Sequence, residues 1–341
     1  MRTPVTIRDV ARLAEVHPGT VSRALNAQTR ALVNAQTAAR VLRAADELGY
    51  RPNPIARGLK TNRSYTIGVV IPDLTNPLFP PIVRGIEDRL AEAGYTPLIV
   101  NTDNDPDRER SHIEAMLARQ VDGLIAATAR LDVTLLAEAA AGGTALVLVN
   151  RSLEDGSAAA VTVDDRKGIG LAVEHVAGLG HRLIGTVAGP QNVSTGHLRH
   201  VGFLDAMAAA GLTVDPGHVS FAGAFTEPEG ARACAEILSH EPRPTAIVAA
   251  NDRLAMGCYD TFARMGLHCP GDISVVGFND MPFIDRLQPP LTSVRVPQRE
   301  IGNTAADLLL AQLADAEEPA RQILLEPELV VRASTAPPSA A

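Results

Sequence analysis

Thr6-Ile-Arg-Asp-Val-Ala-Arg-Leu-Ala-Glu-Val-His-Pro-Gly-Thr-Val-Ser-Arg-Ala-Leu-Asn26 holds two amphipathic stretches separated by three residues. Ile7, Val10, Ala11 and Ala14 recur at helical spacing, and Val21, Ala24 and Leu25 make a second stripe. Glu15-Val16-His17 is long enough only for a tight turn, and Pro18 suits the first position of the next helix. Small Ala11 at the crossing and apolar Val16 after the turn predict a helix-turn-helix. A third amphipathic stretch, Ala35 to Leu48, offers Ala38, Val41, Leu42, Ala45 and Leu48 to the same small core, with Gly49 placed to end it.

Charge sets this head apart. Residues 1–65 carry eleven basic side chains against four acidic ones, a balance of +7, within a 341-residue chain of net charge −8. The remainder therefore carries −15, so only the head is suited to a polyanion. With 46% hydrophobic and 21% charged residues the composition is that of an ordinary globular protein. No apolar stretch approaches the roughly 18 residues that span a bilayer, and the N-terminus has no apolar signal core. No membrane association and a cytoplasmic, nucleoid-associated location are expected. Cys234, Cys258 and Cys269 are too few and too unevenly spaced for a disulfide framework or a zinc site.

The stretch Thr6–Asn26 resembles the T-I-x-D-V-A-x-x-A-x-V-x-x-x-T-V-S-R-x-L-N pattern of the lactose-repressor (LacI) family of bacterial transcription regulators. Glu47-Leu48-Gly49-Tyr50-Arg51-Pro52-Asn53 matches the family's E-L-G-Y-x-P-N signature. The resemblance implies a sequence-specific repressor that reads a near-palindromic operator as a homodimer, with a tetramer as the alternative. A recognition helix starting near Pro18 can lie in the major groove. The fork of Arg23 suits guanine O6 and N7. Thr6, Thr20, Ser22 and Asn26 suit phosphates or nearby bases. Pro18 and Gly19 stand where the family varies its operator, and without polar side chains they can read only shape or apolar groups. Two departures weaken the head: Glu15 where the turn usually has Gly, and His17 where Ser usually caps the helix.

Residues 51–64 link head and body. The resemblance makes them a hinge helix that orders on operator and wedges Leu59 into the minor groove, with Ala56 one turn earlier and Lys60 reaching a phosphate. Gly58 costs such a helix about 1 kcal/mol relative to Ala, and so short a segment cannot hold a helix alone.

From Tyr65 onward nine apolar runs read as strands: 66–72, 96–101, 121–128, 145–150, 159–164, 182–189, 218–223, 245–251 and 272–279. Segments of helical period, such as 106–119 and 252–266, separate them, which predicts parallel sheets covered on both faces. The expected fold is an N-terminal all-α helix-turn-helix head (1–50) on an α/β, periplasmic-binding-protein-like body (65–334) of two doubly wound parallel-sheet halves. The resemblance supplies the crossovers: 66–165 plus 296–322, then 166–295 plus 323–334, with a frayed tail over 335–341.

Ligands in open α/β sheets bind beyond the carboxyl ends of the strands. There stand Leu78 and Phe79 in a D-x-T-N-P-x-F stretch, Asn150-Arg151, Thr195 and Arg199 in a segment where the family's arginine grips effector hydroxyls or carboxylate, Phe225, Asn251-Asp252 and Asn279-Asp280. Leu78 replaces an aromatic, and Asn150 and Asn279 replace the Asp of many sugar-sensing members. Asparagine still reads hydroxyls but loses the charge-assisted bond. The expected partners are double-stranded operator DNA and a small polar effector, a sugar or nucleoside, acting as inducer; purine-type members of the family work with the opposite sign.

Enzymatic readings find no support. Gly168-Ile169-Gly170 lacks the third glycine of a dinucleotide fingerprint, and neither lysine, Lys60 or Lys167, follows a Gly-rich phosphate loop. No Gly-x-Ser-x-Gly elbow occurs. His197 and His200 have no partner spaced for a metal, and His175 and His181 read as structural. No cofactor, metal or catalytic residue is expected. An exported solute-binding protein shares the body fold but would lack the head.

Overall fold

The structure, a computed structural model, describes residues 5–26, 29–51, 63–130, 135–153, 155–315 and 319–339. The chain divides into two compact units, Met1–Ser64 and Tyr65–Ala341.

In the first unit, helices α1 (Ile7–Leu13), α2 (Pro18–Leu25) and α3 (Ala35–Glu47) enclose a core of Val10, Ala11, Ala14, Val21, Ala24, Ala38, Val41, Ala44 and Ala45. The alanines keep the helices close, so a small core suffices. The Asp9 carboxylate accepts from both the N–H and the hydroxyl of Thr6 at 2.9 and 2.7 Å, closing the start of α1 and lowering the Asp9 pKa. Glu15 takes the left-handed conformation expected of the turn, at φ 51°. His17 caps better than its residue type suggests, because Nδ1 accepts from the Gly19 N–H at 3.1 Å. Leu42 was expected in the core and is 37% exposed; Ala44 takes the place, since the helical stripe runs Ala38, Val41, Ala44, Ala45. Arg40 and Arg30 donate to the carbonyls of Ala14 and Ala24 at 2.8 and 2.9 Å, satisfying helix ends that have no partner in their own helix.

The second unit contains two six-stranded sheets. The first comprises β1 (Thr66–Ile71), β2 (Thr96–Asn101), β3 (Gly123–Ala126), β4 (Ala145–Val149), β5 (Ala159–Val163) and β11 (Gln322–Leu325), in the order β11-β5-β4-β3-β1-β2. Every pairing in it is parallel; Val69, for example, stands beside Ile99 on one side and Ile125 on the other. The second comprises β6 (Ile184–Ala188), β7 (Val219–Phe221), β8 (Ala246–Ala249), β9 (Ser274–Asn279), β10 (Thr292–Arg295) and β12 (Glu328–Val330), in the order β12-β10-β9-β8-β6-β7. Only β12 runs antiparallel, against β10. Helices α4 (Phe79–Glu92), α5 (Pro106–Ala118), α6 (Leu135–Ala141) and α11 (Gln298–Ala314) belong with the first sheet. Helices α7 (Asp165–Gly178), α8 (Ser194–Ala209), α9 (Glu227–Leu238) and α10 (Asp252–Met265) belong with the second.

Two expectations need correction. Residues 323–325 belong to the first sheet, since Gln322–Leu325 pairs in parallel with β5; the crossover falls after Leu325. Ile323 and Leu325 alternate with more exposed Gln322 and Leu324, the period-2 pattern of an edge strand resting on the first core. The tail is not frayed through Ser339. Ser334 is fully buried, donating to the Val275 carbonyl at 2.6 Å and accepting from the Thr292 N–H at 2.8 Å. Thr335 and the Ala336 carbonyl bond to His175 and His181 at 2.9 and 2.8 Å, so these histidines are clasps for the chain end. Side-chain and backbone hydrogen bonds hold what composition alone leaves loose.

Candidate functional site

The head exposes the residues that a groove would meet. Ser22 and Arg23 are exposed, Pro18, Gly19, Thr20 and Asn26 partly so, and all lie on or at the end of α2. Buried Val21 and Ala24 fix the opposite side of that helix, so the sequence alternates core and surface at helical period. Thr6 is exposed at the start of α1 with its hydroxyl committed to Asp9. Ala56, Leu59 and Lys60, with Gly58, lie outside the described residues.

In the body, all nine residues expected to meet an effector line one cavity of about 190 Å³: Leu78, Phe79, Asn150, Arg151, Thr195, Arg199, Phe225, Asn251 and Asn279. They come from both sheet systems, most of them at or just beyond the carboxyl end of a strand or the N-terminus of a helix, with Arg199 in the second turn of α8. Asn150 follows β4 and Asn279 ends β9; both have positive φ, 63° and 114°, which turns the chain sharply at the cavity wall. The Asn251 carboxamide oxygen accepts from the Leu254 N–H at 2.9 Å as the cap of α10, which leaves its NH2 group as a donor. The Asn279 Oδ1 is buried without a hydrogen-bond partner.

Arg199 is 4% exposed. Its Nε donates to Asp165 Oδ1 at 2.7 Å, its Nη1 to the Ala250 carbonyl at 2.7 Å, and its guanidinium stacks 3.8 Å from the Phe278 ring centre. Asp165 is itself buried; burial pushes its pKa up and Arg199 opposes that. The pair fixes the arginine in one geometry and cancels its charge. Gly196, on the first turn of the same helix, lies against the Pro190 carbonyl, where an added Cβ would stand only 1.9 Å from that oxygen.

Asp252 and Asp280 do not line the cavity. Asp280 pairs with Arg295 and Arg332 at 2.8 and 2.6 Å. Asp252 is fully buried and accepts from the Ser293 hydroxyl at 2.5 Å and the Met281 N–H at 2.8 Å. Burial pushes its pKa up to about 7. A folded-state pKa above the unfolded value means that the native state holds the extra proton, so this group's contribution falls as pH rises from about 4 to 7. Asp252→Asn should remove that slope. The stability of the variant relative to wild type should improve across this window by up to about 4 kcal/mol and stay flat above it, as read by urea unfolding at several pH values.

The cavity also contains residues that sequence reading did not single out: Asn76, Asn104, Glu109, Thr128, Arg130 and Asn192. Glu109 carried a signal. It shares the buried face of α5 with Ile113 and Met116, a carboxylate on an otherwise apolar stripe. Its carboxylate accepts from the Thr128 hydroxyl. Asn104 and Arg130 sit in connections whose course the local sequence does not specify.

Among the described residues no group of three or more His, Cys, Asp or Glu side chains could hold a metal, and no helix is long and apolar enough to cross a membrane.

A three-helix basic unit joined to a two-sheet body with a polar cavity defines a DNA-binding regulator that senses a small molecule. Residues 6–53 match the family described as bacterial regulatory proteins, lacI family, and residues 173–335 match the periplasmic binding protein-like domain. The HTH-type transcriptional repressor CytR of Escherichia coli strain K12 is 34% identical over 333 residues, covering 98% of this chain and 97% of that protein. The crystal structure of the lac repressor dimer bound to operator and the anti-inducer ONPF is 30% identical with a TM-score of 0.86, over 98% of this chain and 100% of that one. The transcriptional regulator CelR in complex with cellobiose is also 30% identical, with a TM-score of 0.75 over 97% and 99% of the two chains. The chain belongs to the LacI family of bacterial regulatory proteins. It is a DNA-binding transcriptional repressor with a small-molecule effector.

Proposed function

We propose that two copies of the chain bind a near-palindromic operator through α2 of each head, and that a sugar or nucleoside in the body cavity releases them. The observation that carries this reading is the convergence of nine polar, aromatic and aliphatic residues from separate strands and helices on one cavity. At about 190 Å³ that space is below the roughly 300 Å³ at which pockets for drug-sized ligands begin. A monosaccharide or nucleoside therefore fits better than a disaccharide. The lac repressor dimer on operator and CelR with cellobiose, both similar along nearly their whole length, support the dimer and the sugar class.

An effector shifts DNA affinity only by binding two states of the body unequally. Closure of the two halves on a ligand would change the spacing of paired hinges. A hinge already weakened by Gly58 melts when that spacing widens, which gives induction. Corepression is the second reading, on the precedent of purine-type members.

Within the head, Arg23 is the base reader. Its side chain is exposed and forms no ion pair among the described residues. Arg23→Ala should cost about 1–3 kcal/mol per half-site and relax preference at one base position in each. Selection of operators from a random pool, followed by binding titrations at fixed salt, reads both. Unchanged affinity and unchanged base preference would show the helix to be wrongly placed. Addition of the cavity ligand to the same complex settles the sign: induction lowers operator affinity, corepression raises it.

A further inference from the structure

Asp73 follows β1 of the first sheet and lines the cavity. Arg253, in the first turn of α10, and Glu227, which opens α9, stand with the second sheet and lie just outside the cavity. The Arg253 side chain is 13% exposed and divides its donors between the two carboxylates. Nε and Nη2 donate to the two Glu227 oxygens at 2.8 Å each, a two-point contact within one half. Nη1 donates to Asp73 Oδ2 at 2.9 Å, across to the other half. Asp73 is aimed as well: its Oδ1 accepts from the Thr75 N–H and hydroxyl at 2.8 and 2.6 Å, which leaves Oδ2 for the arginine. Hydrogen bonding to Arg253 lowers the Glu227 pKa; for Asp73, burial pulls upward and the bonds from Thr75 and Arg253 outweigh it. Each half thus fixes its own group by bonds of its own, and one charge-assisted bond joins them at the edge of the cavity. A neutral bond also crosses beside Arg151 and Thr195, where the Ser152 N–H donates to Ser194 Oγ at 3.1 Å.

Groups fixed before they meet lose little freedom on meeting, which favours the crossing bond. A single bond between partly exposed groups is also weak enough to break without unfolding either half. We propose that the Asp73–Arg253 pair is a latch on the cavity: made, it holds the two halves together; broken, it lets them part. Anything that favours one of two body states shifts the balance between them, and the latch favours the closed one without help from a ligand. The inference rests on movement of the halves against each other and is independent of which small molecule the cavity takes.

Hydrogen exchange read by mass spectrometry on the full chain, with no small molecule added, tests this. The segments to follow are 73–79 and 150–153 on one wall of the cavity and 192–199 and 223–227 on the other. Arg253→Met removes the crossing bond, and Asp73→Asn keeps its shape while removing its charge. Each should speed exchange on both walls at least threefold. Arg253→Met combined with Ser194→Ala, which also removes the neutral bond, should speed it at least tenfold. Strands β6 and β8, deep in the second sheet, should exchange as in wild type, which separates parting of the halves from general loosening. Glu227→Gln, which weakens a bond inside one half and keeps the crossing one, should leave the first wall unchanged. Unchanged walls in the Arg253→Met, Ser194→Ala protein would overturn the latch. So would faster exchange confined to the segments that carry a substitution, or an equal effect of Glu227→Gln on both walls, since either makes the pair a local packing feature. These results would overturn the latch alone, because closure on an effector needs no bond between Asp73 and Arg253.

Discussion

Arg199→Ala should unfold the body about 3–5 kcal/mol more easily at pH 8 and leave it unable to bind effector. The large value comes from what is left behind. Asp165 is 4% exposed and depends on the Arg199 Nε for its counter-charge at 2.7 Å. Removing one partner of a buried pair strands the other in low dielectric, which costs about 3–5 kcal/mol. The carboxylate escapes by taking up a proton, so the loss should shrink as pH falls. Arg199→Ala combined with Asp165→Ala should recover part of the stability and none of the binding. Urea unfolding followed by circular dichroism measures the first quantity, and calorimetry with a ligand that binds wild type measures the second. A pH-independent loss would mean that packing on Phe278, 3.8 Å away, dominates over charge.

Gly196→Ala should have an effect of similar size for a steric reason. The new Cβ would stand 1.9 Å from the Pro190 carbonyl oxygen and 2.7 Å from its carbon. Both obstacles are backbone, so no rotamer change relieves them, and the first turn of α8 must move. Overpacking costs about 1–3 kcal/mol, and a backbone clash belongs at or above the top of that range. Thr195 and Arg199 ride on the same helix, so effector affinity should fall at least tenfold with the shift. Gly170→Ala is the matched control. It lies in α7 with nothing within 4 Å of the added Cβ, and replacing a helix-interior glycine should stabilise by about 0.5–1 kcal/mol. Thermal unfolding of the two variants should move in opposite directions. Equal shifts would show that helix propensity, not the approach to Pro190, sets the result.

The helix-turn-helix was legible from Thr6–Asn26 because local chemistry decides it. A three-residue turn segment, a proline at the helix start and a 3.6-residue stripe act within a few residues of one another. The strands of the body were equally plain, since parallel strands buried on both faces read as continuous Val, Ile and Leu. Asn150, Asn251 and Asn279 could be found for the same reason, since once strands are placed their carboxyl ends are known; Thr195 and Arg199, on the helix that follows β6, came from the family resemblance.

What tertiary structure alone decided involves pairs far apart in the chain. Strand 322–325 joins the first sheet through hydrogen bonds to residues 160–163, and no local pattern distinguishes that partner from the neighbouring half. The tail is held by His175, His181, Thr292 and Val275, each more than 40 residues away, which overrides a composition that reads as loose. Arg199 and Arg151 look alike as sequence, two arginines beyond strands, one on the helix that follows β6 and one just after β4. Only folding gives one of them Asp165, 34 residues earlier, and leaves the other buried with an unused Nε. Sequence carries the periodicities and turns that short-range sterics impose; the charge balance of a cavity depends on which distant side chains burial brings together.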